Sequence, residues 1–258
     1  MISRPETRLA SVALFLALLC TLPACKDPNI NTTDLTVAAA SDLMPAFEEL
    51  GRAFEAAHKT EVVFVFGSTG MLTRQIENGA PMDLFAAANV SYIDQLEQKG
   101  LILPGTKAIY ARGRITLWTS QDSNVRLEGI ADLARPEVTR VAIANPDHAP
   151  FGLAARQALE TAGVWARVQP KLVYGDNIRQ TLQYAETGNV EVAIVSLSLS
   201  VHSRGRWTLI PEELHKPIDQ GLGIIKTTKN EQAARSFITF INGPEGREIM
   251  QKYGLTLQ

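Results

Sequence analysis

Three short segments carry the residue types best suited to chemistry: Ser41, the run Gly67-Ser68-Thr69-Gly70, and the run Asn145-Pro146-Asp147-His148-Ala149-Pro150-Phe151-Gly152. A fourth, Asp176-Asn177-Ile178, shares their character. All four combine small or hydroxyl side chains with glycine or a helix start, and none contains lysine or arginine. Hydroxyls and the free N–H groups of a helix start are donors, and glycine lets backbone approach a bound group closely. A pocket of donors satisfies a ligand that only accepts, such as a fully ionised oxyanion, and disfavours one that must donate a proton. Burying such an ion costs several kcal/mol. Hydrogen bonds to a charged group return roughly 1.5–3 kcal/mol each, so six or seven donors outweigh the cost. Helix N-termini add positive potential without a mobile counter-charge, which accounts for the missing cationic side chains.

Other chemistries fit less well. The segment at Gly67 lacks the Gly-Lys-Ser/Thr of a phosphate-binding loop and the glycine spacing of a Gly-x-Ser-x-Gly nucleophile elbow. A serine hydrolase using Ser41 or Ser68 would need a histidine base, and only His148 lies in a candidate loop. His58 ends a helix, and His202 and His215 read as surface residues. Histidine, cysteine and carboxylate residues show no ligand spacing, so neither a metal (apart from that of a bound oxyanion) nor a cofactor is expected. Asp42, Asp147 and Asp176 read as solvated first-turn carboxylates. With a net charge of -2, no global field marks a nucleic-acid binder, and none is expected as a partner.

The elements that must position these segments alternate short apolar runs with amphipathic stretches, the pattern of strands joined by crossover helices. Strands are expected at 35–40, 61–66, 83–88, 115–118, 141–144, 171–174, 192–195 and 221–225, and helices at 42–57, 71–78, 152–162, 178–187, 230–241 and 245–253. A further helix after residue 88 is expected to stop at Gly100. Gly67 to Gly70 is expected to be a tight loop. The class is α/β, and the series that restarts at Ile115 implies a second lobe, which would hold Trp118, Trp165 and Trp207.

The ordered set Ala38-Ala39-Ala40-Ser41-Asp42-Leu43, Gly67-Ser68-Thr69-Gly70 with residues 75–85, residues 145–152, and Gly243-Pro244-Glu245-Gly246 resembles the periplasmic molybdate-binding proteins of ABC importers, from about Leu35 to the C-terminus. The resemblance implies a type II two-lobe binding-protein fold with two mixed, mostly parallel sheets flanked by helices. Lobe 1 would comprise 35–112 and 221–258, and lobe 2 would comprise 113–220, with hinge strands near 110–115 and 216–221. It also implies a non-catalytic monomer that closes on molybdate or tungstate and engages the importer's membrane subunits. Carried over residue by residue, the ligand set is Ser41, Ser68, Thr69 and the main-chain N–H groups of Phe151 and Ile178, with Thr69 matching the usual position better than Ser68. Asn177 and Ser196 are secondary candidates, Ser196 falling where some members place a tyrosine. A sulfate, phosphate or phosphonate carrier is the neighbouring alternative.

Arg4 and Arg8 precede an apolar run at 9–22 that is short for a membrane span and has the build of a signal sequence, so residues 1–24 are expected to direct export. Leu22-Pro23-Ala24-Cys25 resembles a lipobox. Cys20 would leave with the signal, and Cys25, the only thiol remaining of the two, would carry a lipid that anchors the mature chain to the membrane through a tether at 25–34.

Overall fold

The computed structural model describes residues 34–255. The expected signal sequence, Cys25 and all of the tether except Asp34 lie outside the described residues. The first strand, β1 (Leu35–Ala40), is buried at every position but Thr36 because strands pair with both its edges and helices cover its faces. A 3-10 turn at Ser41–Leu43 leads into α1 (Met44–His58), whose Ala46, Phe47, Leu50 and Phe54 recur at helical spacing and are buried. Pro45 sits in its first turn, where a missing N–H costs nothing, and Lys59 closes it in the left-handed region with φ 55°. The chain continues through β2 (Val62–Gly67), α2 (Thr69–Glu77), β3 (Leu84–Ala87), α3 (Val90–Gln98), β4 (Ala108–Gly113) and β5 (Ile115–Ser120). Next come β6 (Val141–Ala144), α4 (Pro150–Thr161), α5 (Trp165–Val168), β7 (Leu172–Gly175), α6 (Ile178–Glu186), β8 (Val192–Ser196), α7 (Leu197–Ser200) and β9 (Gly205–Leu209). The last elements are β10 (Ile218–Ile224), α8 (Glu231–Asn242) and α9 (Pro244–Lys252).

These strands form two five-stranded sheets, ordered β2-β1-β3-β10-β4 and β7-β6-β8-β5-β9. In the first, β1 pairs parallel with β2 and β3, while β10 pairs antiparallel with β3 and β4. In the second, β6 pairs parallel with β7 and β8, while β5 pairs antiparallel with β8 and β9. Four strands of each sheet therefore run one way, with a single reversed strand next to the edge strand. Helices α1, α2, α3 and α8 pack on the first sheet, and α4, α6 and α7 on the second. Phe54 and Phe237 meet edge to face at 5.1 Å, joining α1 to α8, a contact worth about 0.5–1.5 kcal/mol beyond its buried area.

The chain crosses between the sheets at Arg114, between β4 and β5, and again at 210–217, between β9 and β10. Arg114 Nε and Glu212 Oε1 approach to 2.8 Å across the two crossings. The second crossing lies N-terminal to the expected boundary at residue 220, because Ile218, Asp219 and Gln220 already pair with Gly113, Arg112 and Ala111 of the first sheet. His215 in this crossing is 9 % exposed and bonds the Lys216 carbonyl through Nδ1, so the expectation of a surface residue does not hold. Trp118 is fully buried, whereas Trp207 is exposed.

Candidate functional site

Ser41, Ser68, Thr69, Phe151 and Ile178 line one small, partly open cavity between the sheets, together with Ala40, Asp42, Gly67, Ala88, Ala149 and Pro150. They meet because they follow the C-terminal ends of parallel strands: β1, β2 and β3 from one sheet, β6 and β7 from the other. In α/β sheets that is where loops and helix starts converge. The described cavity lining contains no lysine or arginine.

The run Gly67-Ser68-Thr69-Gly70 is a helix start rather than the expected loop, with Ser68 as N-cap of α2. Its Oγ accepts the Met71 N–H at 3.4 Å and lies 2.9 Å from His148 Nδ1, on the opposite sheet's side. The Gly70 N–H donates to the His148 carbonyl at 2.9 Å, which leaves Thr69 N–H as the first-turn donor of α2 without a described partner. Thr69 Oγ1 accepts the Ala88 N–H at 3.1 Å, so its own hydroxyl hydrogen is available to the cavity. Gly70 is required by proximity: a Cβ there would stand 2.8 Å from the His148 carbonyl oxygen.

On the other side, Pro150 opens α4 and has no N–H, so Phe151 and Gly152 supply that helix's first free donors. Gly152 lets α4 begin against β6, since a Cβ would lie 2.0 Å from the Ala144 carbonyl oxygen. Asn177 caps α6, its Oδ1 accepting the Gln180 N–H at 3.0 Å, and leaves the Ile178 N–H at the cavity. Asn177 itself and Ser196 are not among the lining residues. Ser196 is buried and adjoins Ser198, whose hydroxyl donates to the Asp42 carbonyl at 2.8 Å, a further contact between the two halves.

Asp42 is the main correction to the sequence reading. Asp147 and Asp176 are exposed as expected, but Asp42 is fully buried and lines the cavity. Gln220 Nε2 donates to its Oδ2 at 2.7 Å, and Tyr110 O–H donates to Gln220 Oε1 at 2.9 Å, so the carboxyl is tied to both β10 and β4. Its Oδ1 has no hydrogen-bond partner among the described residues. Burial pushes the carboxyl up from 3.8 to about 7, opposed by the Gln220 hydrogen bond and by its own backbone N–H. Burial, and then the charge of Asp42, holds the Tyr110 phenol well above its ordinary value. A signal for this was present in the sequence: Asp42 lies four residues before Ala46 and eight before Leu50, in phase with the buried face of α1.

His148 is half-buried against Ser68. The pair has the spacing of a nucleophile and base, yet among the described residues no carboxylate orients the second ring nitrogen. What the cavity offers is a set of neutral donors drawn from three helix starts, with one buried carboxyl beside them. This arrangement suits recognition of a small acceptor-rich anion.

A family model described as bacterial extracellular solute-binding protein matches residues 35–256. The molybdate-binding protein ModA of Rhodobacter capsulatus is 32 % identical over 253 residues, 97 % of this chain and 97 % of the relative. A putative ABC transporter substrate-binding lipoprotein, YvgL of Bacillus subtilis, is 30 % identical over 228 residues, 87 % of this chain and 86 % of the relative. Among solved structures, the periplasmic molybdate-binding protein of Azotobacter vinelandii superposes with a TM-score of 0.83 at 29 % identity, covering 87 % of this chain and 99 % of that one.

Proposed function

We propose that this chain, which belongs to the bacterial extracellular solute-binding protein family, captures molybdate or tungstate outside the cytoplasmic membrane and delivers it to an ABC importer. The observation that carries this reading is the cavity between the two sheets. Its donors would be the hydroxyls of Ser41 and Thr69 and the N–H groups of Thr69, Phe151 and Ile178, a reading supported by the presence of these residues in a lining that holds no cationic side chain. Ser68 contributes by capping α2 and by meeting His148. Molybdate-binding relatives that match the chain over nearly their whole length support the choice of anion.

Binding would be non-catalytic and would need no cofactor, because the donors satisfy a tetrahedral dianion without a reacting group. The residues around β1–β4 and β10 would form one lobe and those around β5–β9 the other, rotating about Arg114 and 210–217. The ligand would favour the closed state by bonding to both, and the importer's membrane subunits would read that closed surface. The anchor is the lipidated Cys25 of an exported monomer, a reading supported by the lipobox-like Leu22-Pro23-Ala24-Cys25 and by a lipoprotein relative.

The buried Asp42 favours one other reading, a carrier for a protonated oxyanion such as hydrogen phosphate, which could donate to an ionised carboxylate. Calorimetric titration with molybdate, tungstate, sulfate and phosphate separates the two. Tight binding of molybdate and tungstate is expected; sub-micromolar phosphate binding with no heat from molybdate would refute the proposal.

A further inference from the structure

We propose that Asp42 holds a proton while the anion is bound, so that capture of a dianion is coupled to proton uptake by this one carboxyl. The inference rests on the oxyanion reading above and adds a proton-linked determinant of which ions the site accepts.

The geometry is specific. Asp42 is fully buried and belongs to the cavity wall. Its Oδ2 takes the amide hydrogen of Gln220, and because Gln220 Oε1 is committed to the Tyr110 hydroxyl, that amide is held with its donor toward the carboxyl. Oδ1 is the one buried, unpartnered side-chain atom among the described cavity-lining residues. An ionised Asp42 would set a negative charge beside a dianion in a medium that screens little, whereas a proton on Oδ1 makes it a donor beside a ligand that only accepts. The proton comes from solvent, and no bond of the ligand is altered.

Nearby charges do not remove this conflict. On α1, Glu49 is held by Lys252 and Tyr253, and Glu55 accepts the Val62 N–H. Arg179 on α6 pairs with Glu186, Arg156 on α4 with Glu160, and Arg112 on β4 with Asp219 on β10. β1 and α7 carry no titratable side chain. Tyr110, itself buried, is the titratable group that senses the Asp42 charge, and His148 lies against Ser68 across the cavity. The upward displacement of this carboxyl supports the same conclusion, since a bound dianion displaces it further.

The test is calorimetric titration of the wild-type protein with molybdate, an anion that stays doubly ionised across the range, from pH 6 to 9. Affinity is expected to weaken by about tenfold per pH unit once Asp42 ionises in the free protein, with uptake approaching one proton per molybdate. The proton count comes from the heats in buffers of different ionisation enthalpy, so it does not depend on any variant folding. Asp42→Asn keeps an acceptor for Gln220, supplies a permanent N–H donor and is expected to flatten the profile. A flat wild-type profile without proton uptake overturns the proposal, as does a slope that survives in Asp42→Asn, which would assign the proton to a different group. Absence of molybdate binding at pH 6 is a separate outcome: it overturns the oxyanion reading itself, and this inference with it.

Discussion

Replacing Thr69 with valine preserves side-chain shape while removing Oγ1, an atom with two duties. It accepts the Ala88 N–H at 3.1 Å, and its hydroxyl hydrogen remains for the cavity. Loss of a hydrogen bond to a charged ligand is worth about 1.5–3 kcal/mol, so molybdate affinity is expected to fall about 10- to 150-fold. The same change strands the Ala88 N–H beside a residue that is 1 % exposed, at a cost of about 1–3 kcal/mol, and a melting temperature lower by about 2–4 °C per kcal/mol follows. Thr69→Ser retains the oxygen and is expected to recover most of both losses. Calorimetric titration for affinity and scanning calorimetry without ligand measure the two effects separately. Wild-type affinity in Thr69→Val would remove this hydroxyl from the ligand shell, and equal loss in Thr69→Ser would mean that packing rather than the oxygen is responsible.

Gly70→Ala would place a methyl group 2.8 Å from the His148 carbonyl oxygen. Overpacking of about 1–3 kcal/mol at the junction of the halves predicts about 5- to 150-fold weaker binding, measured by titration. His148→Ala removes the 2.9 Å contact with Ser68, and stopped-flow release of molybdate is expected to quicken about 2- to 12-fold. Asp42→Asn tests the energetic side of the buried carboxyl. Its folded value of about 7 lies above the ordinary 3.8, so between these the folded state binds more protons than the unfolded one and wild-type stability falls as pH rises. The melting temperature of Asp42→Asn is therefore expected to exceed that of wild type by a margin that widens from about pH 4 to pH 7 and then levels; a constant margin would show that Asp42 does not titrate in this range.

The order of strands and helices was legible because each signal is local. Apolar runs such as Val141 to Ala144 and the 46, 47, 50, 54 spacing of α1 declare their periods within one element. The loops after β1, β2 and β6 announced their chemistry just as locally, through hydroxyls, glycines and the absence of cationic residues. Strand β4 was hidden because Tyr110-Ala111-Arg112-Gly113 has no clear alternation, and it forms an edge strand only because the returning β10 pairs with it. The sequence by itself therefore determined the class, the alternation of elements and a donor-rich set of segments. Tertiary structure alone decided what those segments face. Which side of the molecule Asp42 enters, and that it meets Gln220 and Tyr110, depends on contacts between residues 178 and 110 positions apart in the chain. The same holds for His148 against Ser68, 80 residues away. Burial and pairing at that range are set by packing of whole sheets, and no period or motif within a short window encodes them.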